Sequence, residues 1–63
     1  MHDTATRKAL GAFFRDMSEA TRAAATVARA PDRSNTSALR EMLARTLVTV
    51  ERLSAAVEHR PAA

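Results

Sequence analysis

Side chains with catalytic or metal-binding chemistry are few in this sequence. The 63 residues include no cysteine and only two histidines, His2 and His59, which stand near opposite ends of the chain. Metal sites combine several ligands at recognisable spacing, and nucleophilic catalysis needs a base and an orienting acid near the nucleophile. Ser18, Ser34 and Ser54 belong to no such motif. We therefore expect no enzymatic activity, no metal site and no cofactor.

A row of cations could bind phosphate groups. Four cations recur every seven residues, and we call them the basic row: Lys8, Arg15, Arg22 and Arg29. Residues seven apart project from nearly one line of a helix, about 10.5 Å from each other, and could follow a nucleic-acid backbone. A helical bundle also places charges at such outward positions, where water solvates them. Because the net charge is only +3, we favour the solvated interpretation and keep nucleic-acid contact as the alternative.

The composition predicts an all-α protein. Ala, Leu, Arg and Glu dominate, and the aromatic residues are limited to Phe13 and Phe14. No uncharged run approaches the length of about 20 residues that spans a bilayer, so we expect no membrane span. The lack of cysteine fits a reducing compartment, and no apolar secretory segment is recognisable. We therefore expect a cytoplasmic protein.

The first predicted helix runs from about residue 4 to residue 29. Its apolar residues recur in steps of three and four, which is a heptad pattern. Leu10, Met17 and Ala24 take position a, and position d holds Phe13, Ala20 and Val27. Asp3 is a suitable N-cap. Pro31 should end the helix, because proline lacks the amide proton and disfavours a helical residue before it.

A polar loop at about residues 30–36 leads to a second predicted helix at about residues 37–59. Any of Ser34, Asn35, Thr36 and Ser37 could cap it. Its apolar stripe continues the three-four rhythm. The stripe contains Leu39, Leu43, Val50, Leu53 and Val57, with Met42 and Leu47 on its shoulders and Thr46 in line. The short loop requires the two helices to run antiparallel, as a helical hairpin within one domain at residues 1–63.

Both apolar stripes are wider than one neighbouring helix can cover. A lone hairpin would leave part of each stripe in water, so a homodimeric four-helix bundle is the economical solution. The residues predicted for the core and for self-association are Leu10, Phe13, Phe14, Met17, Ala24, Val27, Leu39, Met42, Leu43, Leu47, Val50, Leu53 and Val57.

Three functions are compatible with this architecture. The first is a small regulatory or interaction protein that binds another macromolecule, most simply a protein, through a helical bundle. The second is an RNA- or DNA-binding dimer that aligns two copies of the basic row on one face. The third is an accessory subunit whose apolar surface is completed inside a larger complex. The identity of the partner is not encoded in any motif.

Overall fold

A computed structural model describes residues 4–59 of the protein, and these residues form two antiparallel α-helices. The first, α1, spans Thr4–Arg29, and the second, α2, spans Arg33–Glu58. The all-helical hairpin predicted from the sequence is confirmed. The hairpin is elongated, with Cα extents of 49 × 14 × 11 Å. Asp3 and His2 lie outside the described residues.

The connection between the helices is tighter than the sequence pattern predicted. Helix α1 ends at Arg29, and the amide of Ala30 still donates to the carbonyl of Thr26 at 2.9 Å. Pro31 follows in the non-helical connection. Helix α2 then begins at Arg33, four residues before the predicted start.

Asp32 explains the early start of α2. Its backbone is extended, with φ −127° and ψ 173°, and its Oδ1 accepts from the amide of Asn35 at 2.8 Å. Asn35 donates through Nδ2 to the carbonyl of Ala30 at 2.8 Å, and so ties the end of α1 to the start of α2. Asp32 is therefore the N-cap, rather than any of the four residues from Ser34 to Ser37.

The helices meet along a line of mostly small residues, which we call the seam. Among residues 4–59 the buried side chains are Ala20, Thr46 and Thr49, at 5%, 8% and 8% exposure. Half-buried neighbours complete the seam: Ala9, Phe13, Asp16, Ala23 and Val27 from α1, with Leu39, Met42, Leu53 and Ala56 from α2.

The buried threonines behave as small apolar residues. The hydroxyl of Thr46 donates to the carbonyl of Met42 at 2.8 Å, and that of Thr49 donates to the carbonyl of Thr46 at 2.9 Å. Both hydroxyls are thus satisfied within α2 itself, as is common for threonine in helices. The seam therefore needs no polar partner from α1 at these two positions.

Candidate interaction surface

The heptad assignment from the sequence is half right for α1. Phe13, Ala20 and Val27 at position d do lie in the seam, but their companions there are Ala9, Asp16 and Ala23, not position a. The position a residues are exposed: Leu10, Met17 and Ala24. Small side chains in the seam let the two helices approach closely, whereas Leu10 and Met17 would hold them apart.

The predicted core residues accordingly divide into two groups. The half-buried group in the seam is Phe13, Val27, Leu39, Met42 and Leu53. The exposed group is Leu10, Phe14, Met17, Ala24, Leu43, Leu47, Val50 and Val57. Phe14 and Leu47 are the most exposed, at 60% and 58%.

The exposed large hydrophobic residues other than Val48 share one side of the hairpin. Each of these seven directly follows a seam residue in the sequence, as Leu10 follows Ala9 and Leu47 follows Thr46. One residue turns a helix by about 100°, and in antiparallel helices this same turn away from the seam leads to the same side. We call this surface the apolar face: Leu10, Phe14, Met17, Leu43, Leu47, Val50 and Val57.

The apolar face carries little charge. The remaining positions that directly follow a seam residue hold Thr21, Ala24, Ala28, Arg40 and Ser54. Arg40 is the one charged residue of this set within residues 4–59, and it lies toward the connection between the helices. A largely uncharged surface with seven large apolar side chains is unusual for a lone soluble domain and marks an interaction site.

A depression on the apolar side of α1 has the shape that accepts a side chain of another helix. Phe14, Met17, Ser18 and Thr21 line it, together with Arg22 and Ala25, around a volume of about 490 Å³. Its first four residues have the spacing i, i+3, i+4 and i+7, which forms the hole of knobs-into-holes packing. We call this depression the α1 hole. Helix α2 contacts α1 along the seam and leaves the α1 hole open.

The large residues of the apolar face also lie at matching positions along the long axis of the hairpin. We call the position of a residue along this axis its height. Because α1 ends at Arg29 and α2 begins at Arg33, residues of the antiparallel helices whose numbers sum to about 61 or 62 lie at about the same height. Ala12 and Thr49, which line one groove, agree with this pairing. By this pairing Phe14 is level with Leu47, and two further pairs are level within about one residue, or about 1.5 Å. These pairs are Leu10 with Val50 and Met17 with Leu43.

The opposite side of the hairpin is charged. The residues that directly precede seam residues include Lys8, Arg15, Glu19 and Arg22 on α1, and Glu41, Arg45, Val48 and Arg52 on α2. We call these eight residues the polar face. It includes three members of the basic row, while Arg29, the fourth, is exposed and donates to the hydroxyl of Thr26 at 3.4 Å.

The polar face adds two cations that the basic row did not include. A shallow groove of about 430 Å³ has Lys8 on one side and Arg52 on the other, over a floor of alanines and Thr49. Arg45 lies one heptad before Arg52 on α2. The sequence analysis did not include these two arginines because it considered each helix separately. Their spacing of seven residues, the same as in the basic row, was the signal that could have identified them.

No arrangement for metal binding is found within residues 4–59: no three His, Cys, Asp or Glu side chains lie together there. Of the candidate nucleophiles, the Ser54 hydroxyl donates to Oε2 of Glu58 at 3.3 Å, one turn away on the same exposed helix. Neither described helix is long and apolar enough to cross a membrane. The apolar face is therefore the strongest candidate functional surface.

Comparison with known proteins gives no match, whether to family models, to curated proteins or to solved structures.

Proposed function

We propose that this protein is a cytoplasmic, non-enzymatic interaction module that forms a homodimeric four-helix bundle and acts by binding another protein. The observation that carries this proposal is the apolar face, with seven large hydrophobic residues left open by the hairpin. Among residues 4–59 the hairpin buries only one apolar side chain, that of Ala20. A chain of this size without a disulfide has only a marginal core of its own, so a further helical surface would add to the stability of its fold.

The size of the apolar face fits a second hairpin. A second hairpin that covered this whole side, whose Cα extents are 49 and 14 Å, would bury about 700 Å² on each copy, or about 1,400 Å² in all, within the range of stable protein interfaces. The open α1 hole adds the shape that a neighbouring helix requires. In such a dimer the two polar faces remain in solvent, where they are available to a protein partner.

Sedimentation velocity of the purified chain at micromolar concentration tests this proposal. The expected result is a single species of twice the chain mass of 6.8 kDa. A folded monomer would contradict homodimer formation and favour an accessory subunit completed by a different chain. The partner protein would then be sought by capture with the wild-type chain and with a Leu47→Asp variant that lacks an intact apolar face.

Nucleic-acid binding is the second candidate, and the Lys8 and Arg52 groove favours it because cations from both helices line one surface. If these cations neutralise phosphates, affinity for duplex RNA falls steeply as salt rises, and each removed charge lowers the slope by about one unit. The comparison is wild type against Arg15→Gln/Arg22→Gln, with helicity checked. No binding at low salt, or an unchanged slope in the variant, would exclude this function.

A further inference from the structure

We infer that two copies of this chain pair through the apolar face about a two-fold axis that runs parallel to the helices. This inference rests on the homodimer proposed above and specifies its symmetry. In this arrangement α1 of each copy packs on α2 of the other copy, and both interhelical connections lie at the same end of the bundle. We call this the parallel axis. The alternative, which we call the transverse axis, runs across the hairpin; it packs α1 on α1 and places the connections at opposite ends.

The heights of the apolar residues favour the parallel axis. A two-fold axis along the helices keeps every residue at its own height, so the three level pairs of each copy meet the same pairs of the other. The result is three layers of four large side chains, built from Leu10 with Val50, Phe14 with Leu47, and Met17 with Leu43. Such layers are the ordinary core of a four-helix bundle.

An axis across the midpoint of the hairpin gives a poorer match. It carries Leu10 onto the height of Ala24 and Phe14 onto the region of Thr21, because the large residues lie in one half of α1. Sliding the axis toward Phe14 restores contact between the large residues. An axis shift of about 2.5 residues is about 3.8 Å at 1.5 Å per residue. It displaces one hairpin relative to the other by twice that distance, about 7.5 Å, and leaves both ends uncovered.

The α1 hole fits the parallel axis as well. Its first four residues, from Phe14 to Thr21, are centred between Met17 and Ser18, and Arg22 and Ala25 extend it toward the connection between the helices. Leu43, which is 52% exposed, lies at this height on α2. With the parallel axis, Leu43 of the second copy therefore meets the hole and enters it as a knob.

Charges at the border of the apolar face support the same symmetry. Arg7 lies seven residues before Phe14 on the outer edge of α1, and Glu51 and Glu58 directly follow Val50 and Val57 on the outer edge of α2. Arg7 is level with Ser54, midway between the two glutamates. The parallel axis places Arg7 beside both glutamates of the other copy, whereas the transverse axis pairs only Arg40 with Glu51.

The symmetry also bears on nucleic-acid binding. Three members of the basic row lie on the polar face, and the parallel axis places the two polar faces on opposite outer surfaces of the bundle. One nucleic acid could then contact only one row.

A distance between the two interhelical connections tests the axis directly. Because the chain has no cysteine, the variant Ala30→Cys carries a single nitroxide label per copy at an exposed position. The parallel axis predicts a label separation of about 20 Å, about two interhelical distances. The transverse axis predicts about 40 Å along the bundle. A dimer with the longer distance overturns the inferred symmetry alone, whereas a monomer without dipolar coupling overturns the dimer itself and the inference with it.

A charge exchange gives a second, independent test. Mixing Arg7→Glu chains with Glu51→Lys/Glu58→Lys chains should favour the mixed dimer by about tenfold at low salt, since both of its edges then carry opposite charges. In a homodimer of either variant built about the parallel axis, residue 7 would lie beside residues 51 and 58 of the same charge. Arg15→Glu, on the polar face and outside the α1 hole, serves as the control for Arg7→Glu and should show no preference. A statistical mixture of dimers would contradict the parallel axis.

Discussion

The most deeply buried residues of the seam and the most exposed residues of the apolar face are of opposite kinds. The seam buries small side chains, with Ala20, Thr46 and Thr49 at its centre, while the apolar face displays Phe14 and Leu47. Small residues allow close approach of the helices and strong dispersion contacts, but they remove little apolar area from water. The larger hydrophobic contribution per residue belongs to the apolar face, and it is realised only when another surface covers it.

This contrast shows what the sequence pattern could predict. Heptad spacing identified two helices and their antiparallel arrangement, and it placed Phe13, Ala20 and Val27 correctly in the seam. It did not separate the residues that face α2 from those beside them: Leu10 and Met17 lie outside the seam, because apolar periodicity gives most weight to large residues. The direction of an apolar stripe does not specify whether it faces the neighbouring helix or a further one.

Two other details required information that periodicity lacks. Thr49 was not predicted in the seam because the stripe was drawn through its larger apolar neighbour Val50, although the Thr49 hydroxyl is satisfied within its own helix. The start of α2 was placed too late because Asp32 was grouped with the loop. The signal was present, since Asp32 stands three residues before Asn35, whose amide it accepts.

The largest expected effect comes from a charge on the apolar face. Leu47→Asp should abolish dimer formation, because the carboxylate would be desolvated in the middle layer of the interface without a partner. The adjacent Val48 is a matched control: it is 46% exposed and lies on the polar face. Sedimentation of both variants measures the effect. Equal loss of association in Val48→Asp would mean that the two faces are assigned incorrectly.

An enlarged side chain in the seam should have the next largest effect. Ala20→Leu should destabilise the protein by about 1–3 kcal/mol, because overpacking pushes closely packed helices apart. Ala24→Leu makes the same change at an exposed position on the apolar side and should cost much less. Urea unfolding of the two variants measures the difference. If Ala20→Leu were as stable as Ala24→Leu, the seam would not be closely packed.

Removing the N-cap of α2 should weaken the hairpin without altering either surface. Asp32→Ala leaves the amide of Asn35 without its side-chain acceptor and should cost about 1 kcal/mol. Thermal unfolding followed by circular dichroism measures this cost, and sedimentation should still give a dimer. Loss of the dimer in this variant would show that the connection itself contributes to the interface.

The smallest expected effect is a gain of stability at Gly11. This residue is exposed within α1, its φ is not positive, and a Cβ added there meets no atom within 4 Å. Gly11→Ala should therefore stabilise the protein by about 0.5–1 kcal/mol through the lower conformational entropy of the unfolded chain. A decrease in the unfolding midpoint would indicate that a partner surface approaches α1 on this side.

The dependence of wild-type unfolding on protein concentration tests most directly the claim that the apolar face is covered by a second copy. When folding and association are coupled, mass action raises the unfolding midpoint as the concentration of chains increases. Circular dichroism melts over a hundredfold range of concentration should show a helical protein whose midpoint rises steadily. A helical protein with one midpoint at every concentration and a monomeric mass would contradict the account.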